Sequence, residues 1–97
     1  MLAAFSVTPL GTDESVGELV ANAVRVARQS GLPNETNAMF TNLEGEWDEV
    51  MGTIRASIDK VAEGSPRVSV LIKLDYRPGA ATGRLTRDVE SVERRLR

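Results

Sequence analysis

The spacing of apolar residues along this chain switches between two and about 3.6, in an order that leaves few folds open. Residues 2–9 read Leu-Ala-Ala-Phe-Ser-Val-Thr-Pro, with Ala3, Phe5 and Val7 on one face and Ala4, Ser6 and Thr8 on the other, the period of a strand. Pro9 and Gly11 close it, and Thr12 stands as an N-cap before Asp13 and Glu14, acids suited to a first helical turn. Val16, Leu19, Val20, Ala23 and Ala27 then recur at helical spacing up to Gly31-Leu-Pro33, which predicts a helix over 13–30. Residues 34–45 are polar and predict two short strands, 34–39 and 41–45, without the Asn-Gly or Asp-Gly pair of a favoured two-residue turn.

Trp47, Val50, Met51, Ile54, Ile58, Val61 and Ala62 make the strongest helical stripe, ended by Gly64 and Pro66, and its Trp and Ile side chains are expected in the core. Residues 67–77 form the clearest strand, with Val68, Val70, Ile72 and Leu74 facing one way and Ser69, Leu71, Lys73 and Asp75 the other. A loop of small residues over 78–83 leads to a last helix. There Leu85, Val89, Val92 and Leu96 form a stripe that must be buried, and Glu90 with Arg94 and Glu93 with Arg97 are spaced for ion pairs.

Strand, helix, two strands, helix and strand predict an α+β sandwich of the ferredoxin-like βαββαβ arrangement: a four-stranded antiparallel sheet, two helices on one face, and an extra C-terminal helix. At 97 residues one domain over 1–97 is expected. Ala4, Ser6 and Thr8 with Ser69, Leu71, Lys73 and Asp75 tile the sheet face left open. That face is either solvated or a contact for a subunit or ligand, and the third helix or another subunit is its natural cover.

Cysteine and histidine are absent, which excludes thiol nucleophiles, Ser-His-Asp triads and imidazole or thiolate zinc sites. Hydrophobic content of 41% and charged content of 27% suit a globular protein, so neither disorder nor low complexity is expected. No stretch approaches the ~20 apolar residues of a membrane helix, and the N-terminus lacks signal-peptide features, so a cytoplasmic protein with no membrane partner is expected. The first fifty residues carry −6 and the remainder +4, a separation that favours self-association. RNA binding would need exposed aromatics and a basic face; aromatics are 4% and the net charge is −2, so no nucleic-acid partner is expected. Glu44, Glu46, Asp48 and Glu49 crowd a strand-to-helix junction beside Trp47, where they either complement the helix terminus or line a binding site. Mg²⁺ at Glu44, Glu46 and Asp48 is disfavoured because alternate positions do not converge, and no metal or cofactor is expected.

Val7-Thr-Pro-Leu-Gly-Thr12 followed by Ser15-Val16, then Leu43-Glu-Gly-Glu-Trp-Asp-Glu-Val-Met51, Ile72-Lys-Leu-Asp-Tyr-Arg77 and Ser91-Val-Glu93, resemble in order and spacing the small thiamine-binding protein family. The resemblance implies a ferredoxin-like subunit, a homotetramer, and binding of thiamine or its hydroxymethylpyrimidine portion without established catalysis. One position departs: Ala38-Met39-Phe40-Thr41 stands where relatives often carry Pro-Met-Gly-Thr. Phe40 thus replaces a glycine, and its ring either fills the pocket or stacks on a ligand ring.

An aminopyrimidine offers an amino donor beside a ring-nitrogen acceptor, for which Ser6, Thr8, Asn37, Thr41 and Asp75 are suitable partners. A thiazolium cation wants a carboxylate or an aromatic face, which Glu44, Glu46 and Phe40 supply. Each has a structural alternative: Asn37 can serve the hairpin turn, Thr8 the strand, and Asp75 an ion pair with Lys73 or Arg77. The candidate ligand residues are therefore Ser6, Thr8, Asn37, Phe40, Thr41, Glu44 and Asp75. The leading expectation is a non-enzymatic homotetramer that holds its ligand near subunit contacts; the competing functions are an amino-acid-binding regulatory domain, a structural oligomer without a small ligand, and a carboxylate enzyme.

Overall fold

The sheet is built on β1 (Leu2–Leu10) in a computed structural model that describes residues 1–12, 16–79 and 83–97. β4 (Arg67–Asp75) pairs with β1 along its whole length, Leu2 against Asp75 through Leu10 against Arg67. β3 (Thr41–Glu44) pairs with Leu2–Phe5 only, and β2 (Asn34–Thr36) lies outside it. The order β2-β3-β1-β4, antiparallel at every step, is the ferredoxin-like topology.

Two helices, α1 (Val16–Gln29) and α2 (Trp47–Ala62), cover one face. Between them and the sheet lie Ala3, Phe5, Val7, Leu19, Ala23, Ala27, Leu43, Val50, Ile54 and Val61. Burying each larger side chain contributes about 1.5–3 kcal/mol. Small residues let the helices approach: Ser57, fully buried, donates its hydroxyl hydrogen bond to the Ala23 carbonyl of α1 at 3.2 Å. Thr12 ties the exit of β1 to the end of α2 through Gly64 O at 2.9 Å. The acids Asp13 and Glu14 expected in the first turn lie outside the described residues.

The hairpin is shorter than its sequence suggests, because Asn37 folds the turn upon itself. Its Oδ1 accepts from the amides of Met39 and Phe40, both at 2.9 Å, while its own amide donates to Phe40 O at 2.9 Å. This Asx arrangement replaces the Asn-Gly chemistry that the sequence lacks. No non-glycine residue among those described has positive φ, so Phe40 occupies the glycine position without backbone strain.

Two burial expectations are corrected. Trp47 is 47% exposed; it opens α2 at the rim and meets Tyr76 edge to face, ring centroids 5.9 Å apart. α3 (Arg84–Leu96) lies against the outer sheet face at its first turns, yet none of its residues is buried, and Val92 and Leu96 are 52% and 75% exposed. Among the described residues Arg84 pairs with Asp88, and no Glu90–Arg94 or Glu93–Arg97 ion pair is formed. The radius of gyration, 14.5 Å, exceeds the roughly 12.5 Å of a compact chain of this length, and the molecule measures 46 × 30 × 20 Å.

Candidate functional site

Because β3 stops opposite Phe5 while β1 continues, a notch opens beside the second half of β1. The 37–40 turn closes one side of it and α1 forms the floor. The cavity there is about 210 Å³, lined by Phe5 to Thr8 of β1, Val20, Ala23 and Val24 of α1, and residues 36–41 of the hairpin. Five of the seven candidates meet in it: Ser6, Thr8, Asn37, Phe40 and Thr41. Thr41 is buried, its hydroxyl 3.3 Å from that of Thr36, and Phe40 is half-buried with its ring at the cavity. Ser6 and Thr8 pair with Leu71 and Ser69, so their side chains share the outer sheet face and reach the cavity at its rim. Val20 and Val24 were absent from the candidates; the helical stripe that carries Val20 reads as core, and nothing local shows that one flank of it meets empty space.

Glu44 and Asp75 lie apart, with α3. Glu44 is 4% exposed and accepts from the amides of Gly83 at 3.0 Å and Leu85 at 3.5 Å through Oε1, and of Arg84 at 2.9 Å through Oε2. Its charge thereby satisfies the first free N–H groups of α3 and opposes the positive end of the helix dipole. Gly83, at φ 89°, turns the chain into that position. Asp75 pairs with Arg84 at 2.5 Å, and Arg84 also reaches Asp88 at 3.4 Å. The Arg84 hydrogen bond is the main cause that holds the Asp75 carboxyl below its ordinary value.

These groups border a second cleft of about 370 Å³ between the outer sheet face and α3. Glu35, Lys73, Asp75, Arg84 and Asp88 give it both signs of charge, over a floor that includes Ala4. The Nη1 of Arg84 is buried there without a hydrogen-bond partner among the described residues. Among the described residues no group of three or more carboxylates is placed to hold a metal ion, and no helix is long and apolar enough to cross a membrane.

Residues 3–93 match a family model described as thiamine-binding protein. The UPF0045 protein Mb1933 of Mycobacterium bovis is 55% identical over 97 residues, covering 99% of this chain and 94% of its own. The crystal structure of hypothetical protein MJ1052 from Methanocaldococcus jannaschii superposes with a TM-score of 0.83 at 32% identity, over 95% of this chain and 94% of that one. A Thermotoga maritima structure, provisionally described as a thiamine biosynthesis/salvage protein, shares the fold at 20% identity with a TM-score of 0.77, over 92% and 96% of the two chains.

Proposed function

The chain belongs to the thiamine-binding protein family, and from that premise we propose that it is a non-enzymatic binder of thiamine or its hydroxymethylpyrimidine portion, working as a homotetramer in the cytoplasm. The observation that carries this reading is the convergence of Ser6, Thr8, Asn37, Phe40 and Thr41 on the notch beside β1. A volume of 210 Å³ is below the ~300–1,000 Å³ of pockets for drug-sized ligands. It suits a single ring, so the pyrimidine enters and the thiazolium of thiamine stays at the mouth. Phe40 offers a ring face, and the Asn37 Nδ2, with its Oδ1 held in the turn, is the donor left for a ligand. Glu44 and Asp75 serve α3 in this reading. Self-association is supported by Leu71 on the open sheet face and by Val89, Val92 and Leu96 on α3, all more than half exposed in the single subunit.

Amino-acid binding is the second reading, favoured by the outer cleft. An ammonium group would meet Asp75, Asp88 or Glu35, and a carboxylate would meet Lys73 or Arg84.

Calorimetric titration separates the two. Hydroxymethylpyrimidine is expected to bind the wild type, to lose at least about ten-fold in affinity (about 1.4 kcal/mol) in Val20→Trp, whose ring fills the notch from an exposed helix face, and to bind Asp75→Asn unchanged. Amino-acid binding that Asp75→Asn abolishes would transfer the function to the cleft.

A further inference from the structure

β1 carries a main-chain feature beside the notch. Met1 and Gly45 exchange both backbone hydrogen bonds, N to O at 2.9 Å one way and 3.1 Å the other, as a hydrogen-bonded antiparallel pair does. Such pairs recur at every second residue, so Met1, Ala3 and Phe5 turn their N–H and C=O groups towards β3. The even residues turn theirs towards β4. The alternation continues past the end of β3, which leaves Val7 and Pro9 facing the side where no strand lies. Pro9 fits this assignment, since a proline is tolerated in a paired strand where its missing N–H points away from the partner. Val7, which as a whole residue is 6% exposed, thus turns one N–H donor and one C=O acceptor towards that edge, and it lines the notch.

We infer that the ligand is held by the main chain of Val7, as a short stand-in for the strand that β3 does not supply: the Val7 N–H donates to a ring nitrogen and the Val7 C=O accepts from the neighbouring amino group. This rests on the notch being the ligand site, and it names the class admitted. Planar heterocycles with a ring acceptor next to an exocyclic amino donor fit; a ring whose amino group is doubly methylated offers no donor and leaves the Val7 carbonyl unpaired. Main-chain recognition also explains why a binding site can have so few committed polar side chains. Asn37 Oδ1 is spent on its turn, the Thr36 and Thr41 hydroxyls pair with each other, and the side chains of Ser6 and Thr8 point to the outer face.

The test uses the ¹⁵N-labelled full chain and reads backbone amides on addition of hydroxymethylpyrimidine, its 4-dimethylamino analogue, cytosine and adenine. The expected result is a downfield shift of the Val7 amide proton and exchange slowed at least about ten-fold on binding, with the Ser6 and Thr8 amides, already turned to β4, changing little. The dimethylamino analogue binds at least about ten-fold more weakly. Hydroxymethylpyrimidine that binds while Val7 keeps its shift and exchange rate overturns the inference and leaves the pyrimidine reading standing. If cytosine or adenine moves Val7 and hydroxymethylpyrimidine does not, the main-chain site stands and the thiamine reading fails. Val7 protection that is present without ligand and grows with protein concentration assigns the edge to a second copy, and binding by none of the four compounds overturns both.

Discussion

Single residues decide whether α3 stays on the sheet. Glu44 accepts from three main-chain amides at the start of a helix that begins 40 residues later. Removing its carboxylate leaves those donors without a partner in a part-buried place, a loss of about 1–3 kcal/mol. Glu44→Ala is expected to speed amide exchange across α3 by roughly ten-fold or more while the α1 and α2 amides are unchanged, because the opening is local. Asp75 adds a pH-dependent part. Its carboxyl titrates below the ordinary 3.8 in the folded state, so its contribution is present above that value and is lost as pH falls through the folded pKa. Chemical shifts of α3 amides, followed from neutral pH down to about 2, should show the helix loosening only below 3.8, and Asp75→Asn should be loosened already at neutral pH. Gly45 is a steric case: a Cβ there would lie 3.2 Å from Leu32 Cδ2 and 3.3 Å from Val50 Cγ2. Val50 is fully buried and its branched side chain is stiff in a helix, so Gly45→Ala is expected to cost about 1 kcal/mol and lower Tm by roughly 4–8 °C in a melt. None of this is legible locally. The sequence shows an acid and a glycine at a junction, while the amides that meet Glu44 and the Leu32 side chain beside Gly45 come from other segments.

At the scale of elements, period-two and helical patterns were sufficient wherever an element buries one face within the subunit. β1, β4 and α2 are legible for that reason, and β2 and β3 less so, since a strand of three or four residues has too little alternation to read. The seven candidate residues were chosen by chemical type, and five converge because the hairpin and β1 are adjacent in the sheet. The role of Val7 lies in its backbone, which no side-chain pattern records. α3 has a clear apolar stripe whose burial does not occur in the subunit. That stripe supports a role between subunits, and Val92→Glu with Leu96→Glu is expected to lower the mass seen by light scattering below that of the wild type, while the subunit keeps its circular dichroism. An unchanged mass would remove α3 from the interface.

The whole molecule combines a two-layer body with an extended third helix, and sets the notch on the open edge of β1 and the charged cleft under α3, with Asn37 lining both. Val20 lines the notch, whereas Val92 and Leu96 line neither cavity, so ligand binding and self-association are tested by different substitutions. The central claim is that the notch binds a pyrimidine. A ligand at a hundred times its dissociation constant adds about 2.7 kcal/mol to the folded state, which for a domain of this size is a rise in Tm on the order of 10 °C. The most direct measurement is a thermal melt against thiamine, hydroxymethylpyrimidine and a panel of amino acids, run on the wild type and on Val20→Trp. A rise of that size with hydroxymethylpyrimidine, abolished by Val20→Trp, is the predicted result; a melt that no pyrimidine moves at millimolar concentration, or one that Val20→Trp leaves equally responsive, contradicts it.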